Sequence, residues 1–577
     1  MITSHRSKNS TAITMMAIIL LNIFIFSPFS LYTTNFEQFT TPLAGVMKLC
    51  LIPVLILFLL FIPVINLSVR NTHRISALLA MFSLLIWFQG NVLLWDYGIL
   101  DGRSINWNDY VFRGWIDGCI WIVALGLVYS FYQKFGNIVV KCAVFILILQ
   151  SLTLCYTSYD NWELISKKSI KTSIEDPAEL FKFSRNENIL HIVADGFQSD
   201  VFNELLHQER LKDKYQDAFQ GFVYYRESLG VFPYTKFAIP AFLAGEMYSN
   251  KLPKDVYVDK VLQGHTILSA ANNERYEIDI ASGGNYLINR YSNLPYTNMY
   301  NLDNIKSTSA EFRDTAVIID LALFRVSPHF LKEYVYNNQD WLVSKLAKSE
   351  HIFQFSYFSH TIFLNMFSQV MSIEREAPVY KYIHVMNTHN PMVVDNQCRY
   401  AGQATKMNRT TLTIQSRCTL DTLSMLFQKM KDLGVYDSTL IIVHGDHGGW
   451  APNYRQGPPV TFSTGAIARD WLTSLASPLL AIKKPNDNAD FRVSDVQASL
   501  LDIPATISDI MNWDTHFKSQ SLEKINPGDN RKRYFRYYDY QKNAHQQVYT
   551  GPIHEFSIKG SHYEVEWKPE NIFYPPE

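Results

Sequence analysis

Apolar positions are distributed unevenly along this chain. Over the first part they run in blocks near the ~20 residues needed to cross a bilayer, at residues 11–31, 44–69, 75–97, 115–132 and 138–156. This pattern predicts a transmembrane domain of about five helices over residues 1–157, uncleaved because no small-residue processing site follows the first block. Residues 158–187 are polar, with Lys167, Lys168, Lys171, Glu175 and Asp176, and read as a linker. Beyond it the apolar positions come in short bursts. Ile189-Leu190-His191-Ile192-Val193-Ala194, Phe222-Val223-Tyr224-Tyr225, Tyr276-Glu277-Ile278-Asp279-Ile280 and Tyr380-Lys381-Tyr382-Ile383-His384-Val385 have the length and composition of strands. Thr439-Leu440-Ile441-Ile442-Val443 is β-branched or aliphatic throughout, as in a strand buried on both faces. Helical composition over 200–215, 307–371 and 418–434 separates these bursts; Leu479-Leu480-Ala481-Ile482 is another strand, and 493–511 carries a helix. Alternating strands and helices predict an α/β domain over 188–530 with a mostly parallel central sheet. Glu555-Phe556-Ser557-Ile558 and His562-Tyr563-Glu564-Val565-Glu566-Trp567 predict small antiparallel strands within 531–577, belonging to the same domain.

Total charge changes this picture little. The chain has 52 basic and 53 acidic residues, a net charge of −1, and no basic stripe of the kind nucleic acid requires, so a polyanionic partner is not indicated. Charge placement says more. His5, Arg6 and Lys8 precede the first block, Arg70, His73 and Arg74 lie between the second and third, and Lys134 and Lys141 flank the turn expected between the last two. The segments 32–42 and 99–114 have no basic excess. The positive-inside rule therefore puts the N-terminus in the cytoplasm, and an odd number of spans puts everything after Tyr156 outside. In a bacterium this means a multi-pass inner-membrane protein with a periplasmic or extracytoplasmic domain. Cys50, Cys119, Cys142 and Cys155 fall in the predicted spans, where they serve as small apolar packers. Cys398 and Cys418 are the pair in the soluble part, and an oxidising compartment would permit a disulfide between them.

Candidate chemistry collects where strands end, which is where ligands bind in α/β sheets. Gly445-Asp446-His447-Gly448 sets a carboxylate beside an imidazole on a glycine-bounded turn, able to offer oxygen and nitrogen to one divalent cation. Alone, the same residues would make an ordinary strand-to-loop turn. Asp195-Gly196 repeats the arrangement after an earlier strand. In Phe232-Pro233-Tyr234-Thr235-Lys236-Phe237, Thr235 stands at a helix start, either as a plain N-cap or beside a phosphate held by the free backbone donors. His389 lies just past another strand end, either capping a carbonyl or serving as acid or base.

In this order and context, these segments resemble the alkaline phosphatase and sulfatase superfamily. Within it they are similar to its bacterial membrane-bound branch, the lipoteichoic acid synthase-like and lipid A phosphoethanolamine transferase-like enzymes. The resemblance covers about 188–507. It rests on the strand-Asp195-Gly196 opening, Pro233-Tyr234-Thr235, Thr388-His389-Asn390-Pro391, Tyr436-Asp437-Ser438-Thr439 leading into Gly445-Asp446-His447-Gly448, and Pro478-Leu479-Leu480. It implies that Asp195, Asp446 and His447 hold a divalent metal, Zn²⁺ or Mn²⁺. Thr235 would complete the site and act as nucleophile, and His389 would contact the phosphoryl group or serve as acid or base. His444, His384 and Lys236 are candidates for support behind these residues. Two departures qualify the likeness. Asp195 stands where typical members of the branch carry Glu, and Thr235-Lys236-Phe237 is not the Cys/Ser-x-Pro-x-Arg context in which sulfatases make formylglycine; Cys398, followed by Arg399 and Tyr400, does not supply one either. Sulfate-ester hydrolysis is thereby disfavoured. The resemblance implies transfer of phosphoethanolamine or phosphoglycerol from a phospholipid donor to an envelope glycan or lipid acceptor through a phospho-threonine. A hydrolase using water and a non-catalytic lipid-binding regulator are the other readings.

Overall fold

A computed structural model describes residues 2–35, 42–67, 72–97, 105–160, 162, 177–283, 290–302, 309–337, 340–346, 350–449, 451, 460–462, 465–467, 469–539, 547–564 and 567–576. The chain divides into two compact units, one of residues 1–171 with 304–353, the other of residues 172–303 with 354–577.

In the first unit, α1 (Ile2–Leu21) continues through a π-helical segment, Asn22–Phe26, into α2 (Ser27–Thr34); α3 (Leu43–Leu67), α4 (Thr72–Asn91) and α5 (Val111–Asp160) follow. Among the described residues, three helical runs are long and apolar enough to cross a membrane: Ser10–Thr34, Leu43–Pro63 and Trp107–Asp160. The five spans expected from the sequence blocks thus become three candidates. One reason lies in α4, which opens with Thr72-His73-Arg74 and closes with Gln89-Gly90-Asn91, so its apolar stretch is shorter than a bilayer needs. The other lies in α5, which holds the last two blocks as two helices meeting across a break: the backbone leaves helical values at Phe131 (φ −114°, ψ 27°), Gln133-Lys134 is helical beyond it, and the two are counted as one run. Both halves of that run pack on α4, Trp121 against Leu85 and Ile86, and Val139 and Ala143 against Ala77 and Ala80. Asp117 is fully buried in α5 and accepts hydrogen bonds from Gln89 Nε2 (2.9 Å), Trp95 Nε1 (2.7 Å) and the His329 backbone N–H (2.9 Å). Cys50 packs inside as expected, whereas Cys119, Cys142 and Cys155 lie exposed. The segment 304–353, which the sequence pattern places in the α/β domain, contributes helix Ser309–Val326, whose Ile318 and Ile319 share a core with Leu20, Phe24, Val46 and Cys50.

The second unit is built on an eight-stranded sheet of β1 (Asn188–Ala194), β2 (Phe222–Tyr225), β3 (Glu277–Ser282), β4 (Asn298–Asn301), β5 (Val379–Val385), β6 (Thr439–His444), β7 (Leu480–Lys483) and β8 (Arg492–Ser494), in the order β8-β2-β7-β6-β1-β5-β3-β4. β7 is antiparallel to both neighbours and the other pairings are parallel, so the sheet is mixed. Register sets the site: His444 is level with Val193, and Val193 with His384, so β6, β1 and β5 end side by side. Helices cover both faces, which is why β1, β5 and β6 are buried along their whole length. On one face α6 (Thr235–Ala244) sets Phe237, Ile239 and Phe242 among Ile189, Val193, Leu440 and Ile442. On the other, Phe363 and Phe367 of α7 (Glu350–Val370) and Leu420, Leu423 and Phe427 of α8 (Arg409–Asp432) pack with Leu190, Ile192, Ile441 and Val443. Cys398 and Cys418 are joined in a disulfide. The tail forms an antiparallel sheet of β9 (Lys532–Tyr538), β10 (Ile553–Lys559) and β11 (Lys568–Phe573). The strand expected from His562 is instead a turn through Glu564, held by Trp567 Nε1 donating to the His562 carbonyl (2.9 Å); Val565 and Glu566 lie outside the described residues.

Candidate metal and nucleophile site

Asp195 follows β1 by one residue and Asp446 follows β6 by two, so the level strand ends bring the two carboxylates together. Gly196 makes the close approach possible: its φ of +69° suits glycine, and its N–H donates to Asp446 Oδ1 (3.0 Å). Thr388 Oγ1 pins the loop after β5 by donating to the Asp195 carbonyl (2.6 Å). His447 Nδ1 donates to the Gly448 carbonyl (2.8 Å), which leaves Nε2 with its lone pair facing the carboxylates. Nε2 lies 3.6 Å from Asp195 Oδ1 and 3.5 Å from Asp446 Oδ2. Thr235, the first residue of α6, adds its hydroxyl to the same space: Oγ1 donates to Asp195 Oδ2 (3.2 Å) and is 3.4 Å from His447 Nε2.

The donor set fits a divalent cation. Asp195, Asp446 and His447 each offer a ligand atom, all within 4.8 Å of one another, and all three residues are buried. Asp195 Oδ1 and Asp446 Oδ2 are buried with no hydrogen-bond partner among the described residues, a state that costs several kcal/mol for an ion unless something positive faces it. Ligands at about 2.0–2.1 Å around a tetrahedral ion are separated by about 3.3 Å, close to the spacings found here. Burial by itself would raise the Asp195 carboxyl, but His389, His384 and His447 together hold it well below the usual carboxylate range. Burial would likewise lower the His447 imidazole, and Asp446, Asp195 and the Gly448 carbonyl outweigh it and raise it. This is a basin of negative charge in a dry setting.

The flanking candidates divide. His384, near the end of β5, donates from Nε2 to Asp195 Oδ2 (3.2 Å), while its Nδ1 meets Ser282 Oγ (3.1 Å), so it orients the carboxylate directly. His389 sits half-buried at the rim, its Nδ1 bonded to the Asn390 carbonyl and its charge felt by Asp195. His444 does not face the carboxylates. It is fully buried beneath them, where Tyr380 O–H donates to His191 Nδ1 (2.8 Å), His191 Nε2 to His444 Nε2 (2.7 Å), and His444 Nδ1 to the Gly445 carbonyl (2.7 Å). Both rings are neutral in that chain; burial holds His444 down to about 4 and His191 well below its ordinary value. The relay anchors the backbone just before Asp446. Sequence reading missed His191 and Tyr380, although a histidine in an otherwise apolar strand was a visible signal. Lys236, expected behind the nucleophile, pairs with Asp255 instead (2.7 Å).

A model of the sulfatase family matches residues 187–513, more than half of the chain. The chain belongs to the sulfatase family. Among solved structures, this sulfatase-family chain is similar to a protein of the alkaline phosphatase superfamily from Vibrio parahaemolyticus (13% identity, 68% of this chain and 83% of that one, TM-score 0.40). It is also similar to the lipoteichoic acid synthase LtaP from Listeria monocytogenes (11%, 69% and 90%, TM-score 0.37) and to the phosphonate monoester hydrolase of Agrobacterium radiobacter (11%, 67% and 89%, TM-score 0.36). These TM-scores lie below 0.5, and the family assignment rests on the sequence match. No curated protein matches the chain. Sulfatase-family enzymes generally use divalent metals, in keeping with the Asp195, Asp446 and His447 cluster.

Proposed function

We propose that this sulfatase-family protein is a membrane-anchored phospho-group transferase. It takes phosphoethanolamine or phosphoglycerol from a phospholipid and passes it, through a phospho-threonine at Thr235, to an extracytoplasmic glycan or lipid. The observation that carries this reading is the place of the Thr235 hydroxyl, 3.2 Å from Asp195 Oδ2 and 3.4 Å from His447 Nε2, at the start of α6. A nucleophile there has a carboxylate aimed at its proton, and a helix N-terminus beside it favours an anionic group. Thr235 at this position, outside a formylglycine context, speaks for phosphorus rather than sulfur chemistry. The three membrane-span candidates favour a lipidic donor.

Asp195, Asp446, His447 and the Thr235 oxygen would hold the cation, Zn²⁺ or Mn²⁺. When bound, it supplies positive charge that eases ionisation of a hydroxyl and offsets charge on phosphoryl oxygens. Thr235 Oγ forms the new bond to phosphorus as the bond to the lipid's glycerol oxygen breaks. The Thr235 proton passes to solvent, since the Asp195 carboxylate that accepts its hydrogen bond is held too low to keep it, and the leaving oxygen takes a proton from His389. In the second half His389 takes the proton of the acceptor hydroxyl as that oxygen bonds phosphorus, and Thr235 regains its own. His384 keeps the Asp195 carboxylate turned toward Thr235 throughout.

The test uses the full-length protein in lipid nanodiscs carrying headgroup-labelled phosphatidylethanolamine or phosphatidylglycerol. Label should appear on the peptide holding Thr235 and then on a supplied glycan, and Thr235→Ala should abolish both. Label passing only to water would make the protein a hydrolase. No labelled peptide from a metal-loaded protein would leave the regulator reading in its place.

A further inference from the structure

The helical unit contains a polar cavity that the site above does not use. It has a volume of about 290 Å³ and is lined by the end of the Ser10–Thr34 run, by Ile86, Trp87, Gly90 and Asn91 of α4, by α5 near its end, and by Arg325. Arg325 is half-buried and has no carboxylate within ion-pair distance among the described residues. Its Nε donates to the Gly90 carbonyl (2.6 Å) and one terminal nitrogen to Ser30 Oγ (3.3 Å), which leaves three N–H donors without an acceptor among the described residues.

Three further polar atoms on the cavity wall are buried without partners among the described residues: Asn22 Oδ1, Ser27 Oγ and Gln150 Oε1. Asn22 itself is only 3% exposed, and its Nδ2 is used on Ser83 Oγ (3.1 Å). A wall with a cation and several amide or hydroxyl oxygens unpaired among the described residues is costly in an apolar helical bundle unless a ligand meets both. The ligand must carry an anion for Arg325 and hydrogen-bond donors for the oxygens. It must also reach a cavity whose wall runs from Thr34 and Thr157, near the ends of two membrane-span candidates where lipid headgroups lie, inward to Asn22. Beside Gln150 on α5, Ile148, Leu149 and Leu152 expose 54%, 44% and 64% of their surface, an apolar face suited to acyl chains.

We propose that this cavity binds the headgroup of a glycerophospholipid, its phosphate on Arg325 and its ammonium or hydroxyl group on Asn22, Ser27 and Gln150. The proposal deepens the function proposed above by giving the lipid a seat in the helical unit, and it rests on that reading only for the idea that the bound lipid is the donor.

The experiment is native mass spectrometry of the full-length protein released from nanodiscs of phosphatidylcholine with a minority of phosphatidylethanolamine or phosphatidylglycerol. The wild type should retain the minority lipid in preference to phosphatidylcholine. Arg325→Gln should lower retention about tenfold, the scale of one charge-assisted contact, with partial recovery in Arg325→Lys. Gln150→Leu, which leaves the Arg325 packing intact, should lower the preference over phosphatidylcholine. Unchanged retention in both Arg325→Gln and Gln150→Leu overturns the proposal, as does equal retention of phosphatidylcholine by the wild type. Displacement of the lipid by soluble glycerol phosphate would show a site for free phosphate and likewise overturn it. Thr235→Ala should keep the lipid. A wild type that forms phospho-Thr235 but shows no lipid preference sinks this proposal alone, and a wild type that retains the lipid but forms no phospho-Thr235 sinks the transferase reading alone.

Discussion

Substituting Gly448 by alanine tests the geometry of the cluster without touching a proposed ligand. A β-carbon built at Gly448 would stand 1.7 Å from the Ser474 carbonyl oxygen, 2.9 Å from its carbon and 3.2 Å from the Ser477 nitrogen. These are backbone atoms and cannot swing aside. Contact no closer than 3.0 Å requires the two segments to part by about 1.3 Å. The Gly448 N–H is held by the Leu475 carbonyl (2.8 Å), and the Gly448 carbonyl is what fixes His447 Nδ1 (2.8 Å), so the shift falls on the imidazole. Overpacking of this kind costs about 1–3 kcal/mol of stability, and an ångström of misplacement at a reacting centre costs about a hundredfold in rate. Calorimetric titration of Zn²⁺ or Mn²⁺ into chelator-stripped full-length protein is the direct assay. Gly448→Ala should weaken binding at least about tenfold, which is about 1.4 kcal/mol, and lower the thermal midpoint. Gly528→Ala, where nothing lies within 4 Å of the added carbon, is the control and should match the wild type. If Gly448→Ala binds the cation as the wild type does, His447 is not held by its neighbour's carbonyl in the way argued here.

Other outcomes follow from the same contacts. Asp446→Asn should lower cation affinity at least about a hundredfold, a 2.7 kcal/mol effect on the scale of one lost charged ligand, while the thermal midpoint measured with chelator should not fall, because Asn retains the acceptor for the Gly196 N–H. Tyr380→Phe removes the donor to His191 Nδ1 and leaves a buried acceptor unpaired, so urea unfolding should show a loss of about 1–3 kcal/mol with cation affinity unchanged. Chelation should lower the midpoint of the wild type, since a cation held at a thousand times its dissociation constant stabilises the folded state by about 4 kcal/mol; Asp446→Asn should show little of that shift.

The strands were legible because burial on both faces leaves a nearly continuous apolar run, and β1 and β6 read that way from residue order alone, while β5, with Lys381 and His384 among its apolar residues, read as a strand by length and composition. Glycines and carboxylates at their ends mark the loops, and with them Asp195, Thr235, Asp446 and His447 stand out in the sequence. The helical unit was less legible. Hydropathy counts apolar residues but does not show where one helix gives way to the next: the break between the last two blocks falls at Phe131, and Gln133 and Lys134 are helical beyond it. Nor does it show which helices a later segment will join, and 304–353 packs with the N-terminal helices. His444 and His384 looked alike in sequence, each near a strand end. Side-chain direction separated them: the His384 ring reaches Asp195, while His444 is taken up by His191 below.

Local order along the chain thus determined which elements form, which residues stand at their ends and which family the chain joins, because these depend on the period of burial and on short motifs. Only the tertiary structure decided that four side chains meet around two unpartnered carboxylate oxygens, and that Arg325 closes a cavity with Asn22 and Gln150. Those meetings depend on the register of parallel strands and the packing of helices distant in sequence, and no stretch of residues read by itself contains either.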